Sequence, residues 1–216
     1  HGELPASVRA QIVAGYGVYL KRLLAGQRAD ETLEAFHAAV LTDFDHFQIL
    51  SAHRRGRLGA SGLNQSVERL LHKEFPEFKP TENSDYVGRP ILVRRNDYVV
   101  GRFNGDIGLV VEDAEGRLTV AFPAEGGGVT YLAPVRLPEH QTVFAMTIHK
   151  SQGSEFDEVL VVLPNRRSPI LTRELVYTGV TRAKERVTIL SPRDILAEAL
   201  KRRVQRASGL EDALWK

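Results

Sequence analysis

A chain of 216 residues with 43% hydrophobic and 26% charged side chains lies close to the average for globular proteins, which excludes a collagen-like repeat, a disordered tract and a disulfide scaffold. With no cysteine it offers neither a thiolate nucleophile nor a sulfur-ligated metal site, and it fits a reducing cytoplasm. No apolar run approaches the ~20 residues that span a bilayer, and no leader pattern opens the chain, so no membrane association is expected. The only methionine is Met146, which suggests a piece of a longer protein.

Charge is nearly balanced overall, 29 basic against 27 acidic, but residues 141–216 hold 13 basic and 9 acidic side chains. Basic clusters stand at Arg54, Arg55 and Arg57, at Arg94 and Arg95, at Arg166 and Arg167, and at Lys201, Arg202 and Arg203. Singly, each reads as a solvated face; together they point to a polyanionic partner.

In chain order, Val8, Ile12, Tyr16, Tyr19, Leu20 and Leu23 predict a helix over 6–25, stopped by Gly26. Asp30 is the expected N-cap of a second helix carrying Leu33, Phe36, Val40 and Leu41. A buried strand is expected at 47–51, a basic glycine-containing turn at 53–62, and a third helix at 63–75 that Pro76 limits. Short β-rich runs follow at 91–93, 107–112, 118–122 and 129–132, with turn residues about every ten positions. Strands at 143–147, 159–163 and 186–190 and a helix at 171–183 restore an α/β rhythm. Ser191 is the expected cap of a last helix that starts at Pro192, and Leu210, Leu214 and Trp215 of the tail are expected to dock. The pattern describes a parallel α/β domain interrupted by a compact all-β unit.

Two segments carry chemistry. In Thr147-Ile148-His149-Lys150-Ser151-Gln152-Gly153-Ser154-Glu155-Phe156, a strand ends in hydroxyl, imidazole, amine and amide groups around one glycine, a set suited to phosphate oxygens. In Tyr177-Thr178-Gly179-Val180-Thr181-Arg182-Ala183-Lys184, Arg182 can emerge from a helix at the sheet's ligand edge. A rigid guanidinium fork there suits the charge that develops on a transferred phosphoryl group. The plainer alternative for Arg182 is a surface salt bridge, for instance to Glu185.

These two segments resemble motifs V and VI of superfamily 1 helicases, and the resemblance is nearest to the RecD-type branch, the exodeoxyribonuclease V alpha subunit family. Ile49-Leu50-Ser51-Ala52-His53-Arg54-Arg55-Gly56 is similar to its motif IV region. Gly88-Arg89-Pro90-Ile91 with Asn96-Asp97 and Phe103-Asn104-Gly105-Asp106-Ile107-Gly108 is similar to the entry into its small barrel. The resemblance implies the second RecA-like domain of a 5′-to-3′ DNA helicase of recombination and repair. That domain would occupy 1–87 and 139–206, with an inserted SH3-like barrel at 88–138 and a tail at 207–216.

It further implies that Arg182 is an arginine finger, with Arg54 or its neighbour Arg55 acting similarly, and that Gly153 and Glu155 lie near the nucleotide. Thr147, His149, Lys150 and Ser151 would touch single-stranded DNA, and Asn104 and Gly105 would face it from the insert. The implied partners are single-stranded DNA, the N-terminal RecA-like domain of the same protein and other exodeoxyribonuclease V subunits. The chain lacks Gly-x-x-x-x-Gly-Lys-Ser/Thr, so ATP and Mg²⁺ are expected to belong to the full-length enzyme, with neither expected on this piece. A stand-alone nucleic-acid-binding module and a relaxase-type helicase remain the alternatives. A nuclease is disfavoured, because Asp43, Asp45 and His46 read as a helix end and solvated turn and no metal site is expected.

Overall fold

The computed structural model describes residues 4–81 and 84–204. Helices α1 (Ala6–Ala25) and α2 (Leu33–Asp45), strand β1 (Phe47–Ser51) and helix α3 (Ala60–Glu74) make up the first third. Strands β2 (Pro90–Val93), β3 (Ile107–Glu112), β4 (Leu118–Pro123), β5 (Val129–Leu132) and β6 (His140–Thr142) follow. Then come β7 (Ala145–Thr147), β8 (Phe156–Val162), α4 (Arg173–Val180), β9 (Ala183–Leu190) and α5 (Arg193–Lys201).

Four strands form a parallel sheet in the order β7-β1-β8-β9. Side chains alternate across it. Ile49, Leu160 and Val162 face α1 to α3, while Leu50, Val159 and Val161 face α4 and α5. Burial on both faces explains why these strands read as continuous apolar runs rather than alternating ones. On the first face Tyr16 stacks on Phe44 (5.6 Å between centroids) and meets Phe47 and Phe144 edge-on. Gly15 makes that approach possible: a Cβ there would lie 2.4 Å from Cγ of Phe47.

The other five strands form an antiparallel sheet in the order β5-β4-β3-β2-β6. Ile91, Val93, Val110, Val120, Phe122 and Leu132 make its own small core. Leu109, Val111 and Ala121 point the other way and join the core under α1 and α2. Two further contacts tie it to α2: His37 Nδ1 lies 3.0 Å from the Tyr131 hydroxyl, and Glu34 accepts a hydrogen bond from the Val129 amide at 3.3 Å.

The expected strand at 143–147 is in fact a crossing between sheets. Residues 140–142 pair with β2 and residues 145–147 with β1, and Val143 and Phe144 are buried at the seam. The Phe144 carbonyl there accepts from the Tyr16 hydroxyl and from Gln48 Nε2 at 3.1 Å. Because β7 is an edge strand, its outer backbone groups need other partners. Buried Asn64 of α3 supplies them: its Oδ1 accepts from the Ala145 amide (2.8 Å) and its Nδ2 donates to the Ala145 carbonyl (3.0 Å).

Several boundaries differ from the sequence reading. Thr32, not Asp30, caps α2 by accepting from the Ala35 amide. Helix α3 begins at Ala60 rather than Leu63. Helix α4 runs only from Arg173 to Val180, because Ala183 already pairs with Phe156 at the start of the β8–β9 ladder. Ser191 does not cap α5; its hydroxyl turns to the Pro192 carbonyl, and Pro192 is the N-cap. The expected docking of Leu210, Leu214 and Trp215 lies outside the described residues. Among the described residues no helix is long and apolar enough to cross a membrane.

Candidate nucleic-acid and nucleotide interface

Helix α3 turns Leu63, Val67 and Leu71 inward, so Ser61, Gln65, Arg69 and His72 face outward along one stripe. Opposite that stripe run Arg89, Arg94, Gln141 and Thr142 of the antiparallel sheet and its approaches. Thr147, Lys150 and Arg54 close one end. Together these residues line an open groove of about 870 Å³. Arg89 is held by Asp85 (2.7 Å) and Thr142 (3.0 Å), and Arg94 by Glu139 at 2.5 Å. Arg54, Arg69 and Lys150 have no carboxylate partner among the described residues. Partial burial, then the neighbouring Arg94 and Arg54, push the Lys150 ammonium below its ordinary pKa. Cations have been gathered here against their own repulsion, an arrangement that a polyanion relieves.

Residues 148–151 form a 3₁₀ turn that presents His149 and Lys150 to solvent. Ser151 departs from expectation: it is fully buried and its hydroxyl donates to the Ile148 carbonyl (2.8 Å), so it shapes the turn and cannot meet a ligand. Gly153 sits at φ +92°, a conformation that favours glycine, and lets the chain reverse toward β8.

That reversal brings the loop to Arg182. The side chain is half-buried and lies flat across the loop. Its Nη1 donates to the Ser154 carbonyl (3.0 Å), its Nε to the Thr178 carbonyl (3.2 Å) and its Nη2 to the Thr181 hydroxyl (3.3 Å). All three acceptors are neutral, and no salt bridge to Glu185 or to any other carboxylate forms among the described residues. The positive charge is oriented but not neutralised. Arg182 does not stand at the carboxyl ends of the strands, as its sequence position suggested. It follows α4, and its own carbonyl accepts from the Phe156 amide (2.8 Å), which places it at the amino ends of β8 and β9.

Two sets of residues therefore separate. Arg54, Thr147 and Lys150 share the groove, while Arg182, Gly153, Ser154 and Glu155 share the far end of the loop. Arg54, paired in the sequence reading with Arg182 as a nucleotide-sensing arginine, lines the groove, whereas Arg182 does not. Asn104 and Gly105 lie elsewhere, on an exposed loop of the antiparallel sheet. Asp43, Asp45 and His46 do not converge on a metal site: Asp43 pairs with Arg22 at 2.5 Å, His46 pairs with Asp157, and burial raises the Asp45 pKa. Among the described residues no group of three acidic, histidine or cysteine side chains could hold a metal ion. Sequence reading missed the polar stripe of α3, although the spacing of Ser61, Gln65, Arg69 and His72 is visible in the sequence.

A family model described as the UvrD-like helicase C-terminal domain matches residues 142–190. RecBCD enzyme subunit RecD of Mycolicibacterium smegmatis is 45% identical over 174 residues, 81% of this chain and 30% of that protein. The same subunit of Haemophilus influenzae is 35% identical over 216 residues, covering 97% of this chain and 32% of that protein. The ATP-dependent RecD2 DNA helicase of Deinococcus radiodurans is 37% identical over 139 residues, covering 64% and 19%. The chain thus spans about a third of the length of the RecD subunits that it matches.

Proposed function

We propose that the chain, similar to the RecD subunits over most of its length, forms the C-terminal motor domain of an ATP-dependent 5′-to-3′ DNA helicase of recombination and repair. An N-terminal RecA-like domain of the same protein would bind ATP and Mg²⁺. Residues 88–138 would be the SH3-like insert of that domain, its sheet continued by β6 at 140–142, and further subunits of an exodeoxyribonuclease V complex are the proposed protein partners. The single observation that carries the reading is the state of Arg182. A guanidinium held by three neutral acceptors keeps its full charge and a fixed direction, which is what a γ-phosphate oxygen in an adjoining site requires.

The residues here suit the triphosphate end of a nucleotide bound by another domain. Arg182 would offset charge on the transferred phosphoryl group, and Gly153 and Glu155 would lie beside it. ATP supplies the energy of the cycle. This chain's own groups orient the loop, hold the guanidinium and link it through residues 147–155 to the groove. Single-stranded DNA would lie in that groove with its phosphates on Arg54, Lys150 and Thr147. Such contacts are indifferent to base sequence.

In the full-length protein Arg182→Ala is expected to lower ATP turnover by about 10³-fold or more, the range for an arginine finger. Binding of single-stranded DNA should persist. Turnover at the wild-type rate in that variant would refute the assignment.

A further inference from the structure

Among the apolar side chains that folding leaves in water, three lie together on one loop beyond the charged groove. Tyr98 is 79% exposed, Val99 90% and Phe103 47%. They occupy the loop between β2 and β3, and that loop is tightly held. Asp97 and Arg102 exchange backbone hydrogen bonds (2.7 and 3.0 Å), closing a four-residue tip with Gly101 at φ +63°. Asp97 Oδ1 accepts from the amides of Val99 and Val100. Asp106 Oδ2 accepts from the Phe103 amide and Asn96 Oδ1 from the Asn104 amide. The Arg102 guanidinium lies 4.1 Å above the Phe122 ring, anchoring the descending limb to the sheet. Tyr98 and Phe103 meet edge to face at 5.8 Å between centroids. Aromatic side chains that meet each other yet stay largely in water are of the kind that marks a ligand site.

The loop starts at the groove. Arg94, its first residue, lines the groove with Lys150 and Arg54, and Gly105 on the returning limb donates to the Val93 carbonyl (3.0 Å). Arg95, the next residue, is exposed and has no carboxylate partner among the described residues. Arg94 and Arg95 thus stand four and three residues before Tyr98 on the same loop. A protein partner fits less well, because three exposed side chains on one loop fall far short of the roughly 1,000 Å² that a stable interface needs. One or two nucleobases match both the size and the shape.

We propose that Tyr98 and Phe103 form a stacking platform for bases of the single strand whose backbone lies in the groove. The proposal rests on the groove reading above and adds to it a contact with bases. Stacking on an aromatic side chain accepts any base, so the platform grips without selecting sequence.

The test compares, in the full-length protein, an oligothymidylate with an abasic strand of equal length. Tyr98→Ala is expected to weaken binding of the oligothymidylate about tenfold or more while leaving the abasic strand unchanged. Tyr98→Trp should restore the wild-type preference. Phe103→Ala should act in the same direction, and both positions are exposed enough for the fold to persist. Equal affinity of Tyr98→Ala and wild type for the oligothymidylate would overturn the platform, as would an equal loss on both strands. The groove is read separately, from the salt dependence and abasic-strand affinity of Lys150→Ala. A wild-type protein that ignores both strands would overturn groove and platform together.

Discussion

Asn64→Ala removes a side chain that stands in for a neighbouring strand. The Asn64 amide satisfies both backbone groups of Ala145, the first residue of the edge strand β7, at 2.8 and 3.0 Å, and Ala145 is fully buried. Each hydrogen bond contributes about 1 kcal/mol net, and each backbone group left buried without a partner costs about 1–3 kcal/mol. Water that enters the space left by the amide recovers part of this, so a loss of about 2–4 kcal/mol is expected. That is a large share of the roughly 5–15 kcal/mol that stabilises a typical domain. Asn64→Asp keeps an acceptor for the Ala145 amide but sets a carboxylate against the Ala145 carbonyl, and should cost a comparable amount.

Urea unfolding reads the global loss as a lower midpoint at unchanged slope. Hydrogen exchange at the Ala145 amide reads the local one, faster by about a hundredfold for a loss near 3 kcal/mol. Because Thr147 ends β7 and Lys150 lies in the turn that follows, affinity for single-stranded DNA should fall as well. A stability within about 0.5 kcal/mol of wild type, from midpoint and slope, together with unchanged exchange at Ala145, would refute the reasoning.

Gly15→Ala should destabilise the fold by about 1–3 kcal/mol, as overpacking does, because the new methyl would meet the Phe47 ring at 2.4 Å; melting temperature checks it, and an unchanged value counts against the packing argument. His37 is held neutral by burial, its pKa lowered from 6.5, so its contribution to stability is complete above pH 6.5 and is lost as pH falls through the lower folded value. Denaturation measured from about pH 7.5 down to 5 should show that loss, and His37→Gln should flatten it. In the groove, Arg54→Ala and Lys150→Ala should each reduce the slope of log affinity for single-stranded DNA against log salt by about 0.7; slopes equal to wild type would remove the groove from the binding path.

Periodicity made the two-part architecture legible. Apolar residues at helical spacing marked α1 and α2, and continuous runs marked β1 and β8 as strands buried on both sides. It failed where tertiary contacts decide. Val143 and Phe144 are as apolar as their neighbours, so nothing local announces that the chain changes sheets there. The α4 pattern continues past Val180, but the partner that ends the helix is Phe156, a residue of another strand. Of the site, the polar loop at residues 147–155 and the place of Arg182 at the end of a helix could be read directly. The grouping could not. The Arg54, Arg94 and Lys150 cluster is assembled from three distant segments. The burial of Ser151, a hydroxyl indistinguishable in sequence from an exposed one, follows from the turn geometry alone.

The crossing at Val143 and Phe144 has a mechanical consequence. One short extended piece of chain belongs at its start to the inserted sheet and at its end to the parallel one, and between them Tyr16 and Gln48 clamp the Phe144 carbonyl. There is no slack in which the two sheets could swing apart. A displacement of the antiparallel sheet would therefore reach, within a few residues, the turn bearing Lys150.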